Sequence, residues 1–114
     1  MGKSVLKEKS FLFAVRTVKL YTYLSETKKE YVLSKQLLRS GTAVGALIRE
    51  AQNAESKADF IHKMKISAKE ADETEYWLLL CKHSQHLSTP TDDFLQKLKE
   101  IQLILSKIIS TSKS

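Results

Sequence analysis

Apolar residues recur at spacings of three and four along most of the chain, and breaks in that rhythm divide it into four helices. The plainest stripe is Phe94, Leu98, Ile101, Leu105 and Ile108, the core face of a bundle helix. Leu37, Ser40, Val44, Leu47, Ala51 and Ala54 repeat the spacing earlier in the chain. Helix starts follow from capping chemistry. Thr27 and Glu30 form a T-x-x-E pair, and Ser56 and Asp59 form S-x-x-D. In STPTDDF, Thr89 can cap, Pro90 suits the first helical position, and Asp92 and Asp93 favour the positive helix end. The pattern predicts helices at about 5–25, 28–53, 57–86 and 90–110. Short connections make sequential helices antiparallel. The expected fold is all-α: one up-down-up-down four-helix bundle over residues 1–114.

The first and third helices are apolar on more than one face. In the first, Phe11, Ala14, Val18 and Tyr21 form one stripe, and Leu6, Phe13 and Leu20 form another roughly opposite. In the third, Phe60, Ile61, Met64, Ala68, Ala71, Leu78 and Cys81 form the expected core face, while Ile66, Trp77 and Leu80 lie elsewhere among Glu70 and Glu73. A small bundle has one interior, so a second stripe points to a subunit interface. The expected interface residues are Leu6, Phe13, Leu20, Ile66, Glu70, Glu73, Trp77 and Leu80. The alternative is a broad, imperfectly sorted core stripe.

Gly41 and Gly45 stand four apart inside the second helix. Each interior glycine costs about 0.5–1 kcal/mol relative to alanine. Both fall on one flank of the core stripe, where they thin the helix and let another backbone approach closely. The neighbour is left open: helix one or three, or a helix of another subunit.

Composition narrows the function. The 114 residues are 42% hydrophobic and 28% charged, values of a soluble globular chain. A single cysteine, Cys81, excludes an intrachain disulfide and suits a reducing cytoplasm. No apolar run has the length of a signal peptide or of the ~18-residue membrane span. Met1-Gly2 lacks the hydroxyl residue of a myristoylation start, since position 6 is Leu. Gly2-Lys3-Ser4 lacks the glycine-rich loop a phosphate cradle needs.

The net charge of +6 falls wholly within residues 1–57, which hold 11 basic and 5 acidic side chains. A basic half attracts polyanions. Lys3, Lys7, Lys9, Arg16, Lys19, Lys28, Lys29 and Lys35 are the candidate contacts to RNA or DNA. The alternative is a merely solvated surface. No recognition helix or aromatic-interleaved basic motif appears, so sequence-specific readout is not expected.

Catalytic and metal chemistry find little support. A di-metal carboxylate bundle needs paired Glu-x-x-His motifs, and Asp59 with His62 supplies a single D-x-x-H. Cys81, His83 and His86 include zinc-ligand types, but Cys81 and His83 point to different faces while helical. Glu70, Asp72, Glu73 and Glu75 suit a solvated face with Lys65 and Lys69. Glu75 shares the phase of Ile61 and Ala68, so a structural ion pair with Arg39 or Arg49 is expected. No metal, cofactor or enzymatic activity is expected.

The run SGTAVGALIREAQNAESKADFIHKMKISAKEADETEYWLLL resembles the signature of the bacterial four-helix-bundle family of ribosomal RNA intervening-sequence proteins. The resemblance rests on Ser40, Gly41, Gly45, Glu50 and Ala51, then Ser56, Asp59, Phe60 and Lys63, then Lys69, Glu70, Ala71, Glu73, Tyr76, Trp77 and Leu78. It implies an up-down-up-down bundle assembling as a homopentamer with a central channel. A related branch, the accessory variability protein of diversity-generating retroelements, implies a basic pentamer that binds nucleic acid and a partner reverse transcriptase. The resemblance therefore implies a non-enzymatic adaptor for nucleic acid or ribonucleoprotein. A purely structural protein–protein scaffold is the alternative, and a metal-dependent enzyme the remote one.

Overall fold

The computed structural model describes the backbone of residues 2–87 and 91–113, with side chains from Val5 onward within those spans. Helix α1 spans Gly2–Thr22 and runs on into a π-helical turn at Tyr23–Thr27. Helix α2 spans Leu33–Ala51, α3 Lys57–His83 and α4 Asp92–Lys113, with a short 3-10 turn at Gln85–Leu87 before α4. The helices alternate in direction, and their main contacts close a ring in the order α1, α2, α3, α4 and back to α1. The expected start at Thr89 and Pro90 lies outside the described residues.

The interior is aliphatic, with one aromatic pair. Leu6, Phe13 and Leu24 come from α1 and its π turn; Leu37, Val44 and Ile48 come from α2. Met64, Ala71 and Leu78 come from α3; Phe94, Leu98, Ile101 and Leu105 come from α4, as the stripe predicts. Fully burying one such side chain contributes about 1.5–3 kcal/mol. Phe13 and Phe94 meet edge to face at 4.7 Å and join α1 to α4. On α2, Ile48 rather than the expected Leu47 is fully buried, together with Ser34 and Gly41. Leu37, Ser40, Val44 and Ala51 are buried as the stripe predicts, and the face is broader than the stripe because it serves two neighbours, α1 on one flank and α3 on the other.

The two glycines lie against α1 of the same chain. A Cβ on Gly41 would stand 2.6 Å from Thr17 Cγ2 and 2.8 Å from Thr17 Oγ1. A Cβ on Gly45 would stand 3.1 Å from the backbone oxygen of Ser10. Ser10 and Thr17 are buried, and their hydroxyls donate to carbonyls of their own helix, those of Lys7 and Phe13. The opposite flank of α2 meets α3 through hydroxyls as well. Ser67 donates to the carbonyl of Val44 at 2.9 Å, and the hydroxyls of Thr74 and Ser40 bond at 2.9 Å. These seam hydroxyls are tolerated in the interior because each finds a partner.

The α2 start differs from the expected capping box. Helix α2 begins at Leu33, and Thr27 closes the π turn instead. Glu30 does the capping alone. Its carboxylate accepts the backbone N–H groups of Val32, Leu33 and Ser34, and its carbonyl accepts the Ser34 hydroxyl. Burial opposes ionisation of Glu30, but these N–H donors outweigh it and hold the carboxyl below its ordinary pKa. At α3 the predicted cap is present: Ser56 Oγ accepts the N–H of Asp59, and Asp59 accepts that of Glu55.

Two outcomes test this packing. Gly41→Ala should lower stability by about 1–2 kcal/mol, overpacking exceeding the gain in helix propensity. Adding Thr17→Ala should recover part of that loss, so denaturant melts of the two single variants and the double should be non-additive; strict additivity would show that Gly41 does not depend on Thr17. Glu30→Ala should cost about 1–2 kcal/mol at neutral pH, and Thr27→Ala much less. Because the folded carboxyl has a lowered pKa, the Glu30 contribution is present above the ordinary carboxylate pKa and fades as pH falls through the folded value. Equal effects of the two substitutions would restore the T-x-x-E box.

Candidate functional site

The outward face of α1 is apolar. Phe11 is 61% and Leu12 58% exposed, with Val15 and Val18 beside them at helical spacing. The expected interface residues of α1 are elsewhere: Leu6 and Phe13 are in the core, and Leu20 packs on it half-buried. The inward stripe runs through Leu6, Ser10, Phe13, Thr17 and Leu24. Two of those five are hydroxyl residues, which hides the stripe in the sequence. Gly41 and Gly45 select it, because small side chains at Ser10 and Thr17 let α1 settle onto α2.

On α3 the exposed apolar residues are Tyr76, Leu79 and Leu80, near the helix end. Leu80 was expected there. Ile66 is half-buried, and Trp77 packs against the core. Glu70 and Glu73 turn to α2, where Arg39 reaches Glu70 at 3.1 Å and also pairs with Glu73. Trp77 Nε1 donates to Glu73 at 3.0 Å. That indole bond, then Arg39, holds the Glu73 carboxyl below its ordinary pKa. The expected pairing of Glu75 with Arg39 or Arg49 is not formed. Glu75 accepts from Gln102 at 3.0 Å, an amide of α4, while Arg39 is engaged one turn away. Arg49 lines a shallow groove between α1 and α2 with Lys7, Phe11 and Gly45.

The candidate basic residues do not form one patch. Lys9 pairs with Glu100 at 2.8 Å, and Arg16 pairs with Asp93 at 2.6 Å while lying over the Phe94 ring. Lys7, Lys19, Lys29 and Lys35 are exposed. Lys28 lies over the ring of Tyr23 at 5.9 Å. The side chain of Lys3 falls outside those described. Sequence reasoning passed over Tyr23 and Tyr31, which flank the lysine pair and are exposed. The spelling YLSETKKEYV carries that signal, visible once the turn brings Lys28 back over Tyr23.

Cys81 is buried on the core face, whereas His83 and His86 are exposed. Asp59 serves as a cap and His62 is exposed. Among the described residues no group of three or more His, Cys, Asp or Glu could hold a metal ion. Among them, too, no helix is long and apolar enough to cross a membrane. Burial, then the nearby Glu30 carboxylate, pushes the Cys81 thiol up to about 11.

A bundle closed on itself by a small-residue seam, with apolar side chains on its outer faces, defines a small all-helical bundle protein. The chain belongs to the 23S rRNA-intervening sequence protein family, which matches residues 3–107. It is also similar to a protein of unknown function from the S23 ribosomal protein family of Bacteroides thetaiotaomicron, whose crystal structure was determined at 1.70 Å. The two share 48% identity and superpose with a TM-score of 0.93, over 96% of this chain and 99% of the other. No curated protein matches.

The thiol gives a direct check on the core. In the native protein Cys81 should react with a thiol reagent many-fold more slowly than in denaturant, and fast native labelling would place it outside the core. The raised pKa sets the sign of its pH effect. Its share of stability is complete below the ordinary thiol pKa and is lost as pH climbs towards about 11.

Proposed function

We propose that the chain is a non-enzymatic bundle that assembles with itself, as a pentamer in the arrangement the family resemblance implies, and serves as a cytoplasmic adaptor for nucleic acid or ribonucleoprotein. One observation carries the assembly: the solvent-facing row Phe11, Leu12, Val15 and Val18 on α1. Exposed contiguous apolar side chains of this size mark interaction sites. Tyr76, Leu79 and Leu80 on α3 form a second, different patch. A closed ring uses heterologous contacts, so each subunit needs two unlike patches.

The nucleic-acid part rests on the +6 net charge and on the family's link by name to 23S rRNA. Repeating a modest basic surface around a ring multiplies weak phosphate contacts. The partner would be RNA or DNA, with or without an enzyme that acts on it. The pairing of Lys9 and Arg16 with α4 carboxylates favours a second reading, a protein–protein scaffold without nucleic acid.

Light scattering at micromolar concentration should return a multiple of the chain mass, and Phe11→Glu with Val15→Glu should reduce it while helical circular dichroism persists. A monomeric wild type would sink the assembly. Labelled RNA should shift with the wild type at about 50 mM salt and be released as salt rises. Absence of any shift would leave the scaffold reading in its place.

A further inference from the structure

The turn between α1 and α2 gathers features that the bundle itself does not use. Tyr23 is 39%, Tyr31 53% and Val32 77% exposed, although all three are residues that favour burial. Lys28 lies 5.9 Å over the Tyr23 ring, so a cation and an aromatic face are presented together. Lys29, Lys35 and Lys19 are exposed on the turn or the helix ends it joins. Lys29 holds a left-handed backbone with φ 57°, a conformation that favours glycine.

The carboxylates at this end of the bundle are mostly engaged. Glu30 is turned onto the α2 N-terminus. Asp93 is paired with Arg16, and Asp92 with Lys82. Glu26 is the exposed acid left on the turn itself. The surface that remains is two tyrosine rings among lysines. Charge complementarity selects a polyanion, and the rings select one with free flat faces. Single-stranded nucleic acid has both: phosphates for ammonium groups and unpaired bases for stacking on aromatic side chains. A duplex keeps its bases stacked on each other and offers this turn only its phosphates.

We propose that the α1–α2 turn is a docking surface for single-stranded nucleic acid, with Tyr23 and Tyr31 stacking on bases and Lys28 and Lys29 contacting phosphates. The inference rests on the nucleic-acid reading above and sharpens it to a place and a substrate class. Base stacking is tolerant of sequence, which agrees with the lack of a recognition helix.

Fluorescence anisotropy with a labelled single-stranded RNA of mixed sequence, the same sequence as DNA, and the RNA duplex provides the test. Wild type should bind the single strands more tightly than the duplex; RNA above DNA would point to the ribose hydroxyl, and equality to shared base and phosphate chemistry. Tyr23→Ala with Tyr31→Ala should weaken single-strand binding roughly ten-fold or more. Lys28→Gln with Lys29→Gln should flatten the dependence of log affinity on log salt by about 0.7 per lysine in contact. Tyr31→Ala alone, at a half-exposed turn position, guards against a folding defect, and circular dichroism melts should stay close to wild type for every variant. If wild type binds and both double variants bind as well as it does, the turn is not the surface, and the nucleic-acid reading survives without it. Equal affinity for duplex and single strand also overturns the stacking. If wild type binds none of the three probes, the nucleic-acid reading itself falls.

Discussion

Close approach of α1 to α2 sets the frame for everything else. A backbone oxygen of α1 lies 3.1 Å from where a Gly45 Cβ would be, and Thr17 fills the space where a Gly41 side chain would stand. Helices that approach this closely gain dispersion contacts along their length. The glycines weaken the isolated helix, and the contact they permit offsets that loss. The same contact fixes the rotation of α1 about its axis. With Ser10 and Thr17 turned to α2, Leu6, Phe13 and Leu24 must turn inward, and Phe11, Leu12, Val15 and Val18 must face out. The outer apolar face is therefore a consequence of the inner seam.

The seam also explains why the core holds so many hydroxyls. Ser40, Ser67 and Thr74 are fully buried between α2 and α3, and Ser10 and Thr17 between α1 and α2. A hydroxyl is no larger than a methyl and can bond to a carbonyl one turn away. It thus keeps two helices close without leaving a polar atom unpaired. Larger side chains would hold the helices apart, and a purely alanine seam would lose the cross-helix bonds of Ser67 and Thr74.

Much of the architecture was legible in the sequence because periodicity reports it directly. The α4 stripe was read correctly at Phe94, Leu98, Ile101 and Leu105, and the Ser56 cap where Asp59 confirms it. The four helices, their order and the family signature around Gly41 and Trp77 could likewise be read from the chain. What failed was rotation. A helix apolar on every side has no single phase, and the true inner stripe of α1 is interrupted by Ser10 and Thr17. Glu30 was recognised as part of a cap, but the π turn moves the α2 start downstream, so its carboxylate caps without Thr27. Partners of charged groups were the least legible. Glu75 meets an amide and Arg39 meets Glu70 and Glu73, choices made by side-chain reach across helices.

Those pairings reshape the charge that composition reports. The basic surplus lies in the first half of the chain, and the acids of α4 face it across the bundle. Glu100 and Asp93 each take one cation from α1. Neutralising Lys9 and Arg16 in this way removes charge from the flank of α1 that packs on α4. Among the described residues, the carboxylates at the end that carries the α1–α2 turn are mostly engaged elsewhere, Glu30 with the helix start, Asp92 with Lys82 and Asp93 with Arg16. The fold thus leaves two kinds of unpartnered surface in different places, an apolar one along α1 and an aromatic–basic one at its end. Surfaces so separated do not compete, so the proposed self-association along α1 and the proposed strand binding at the turn are compatible with each other.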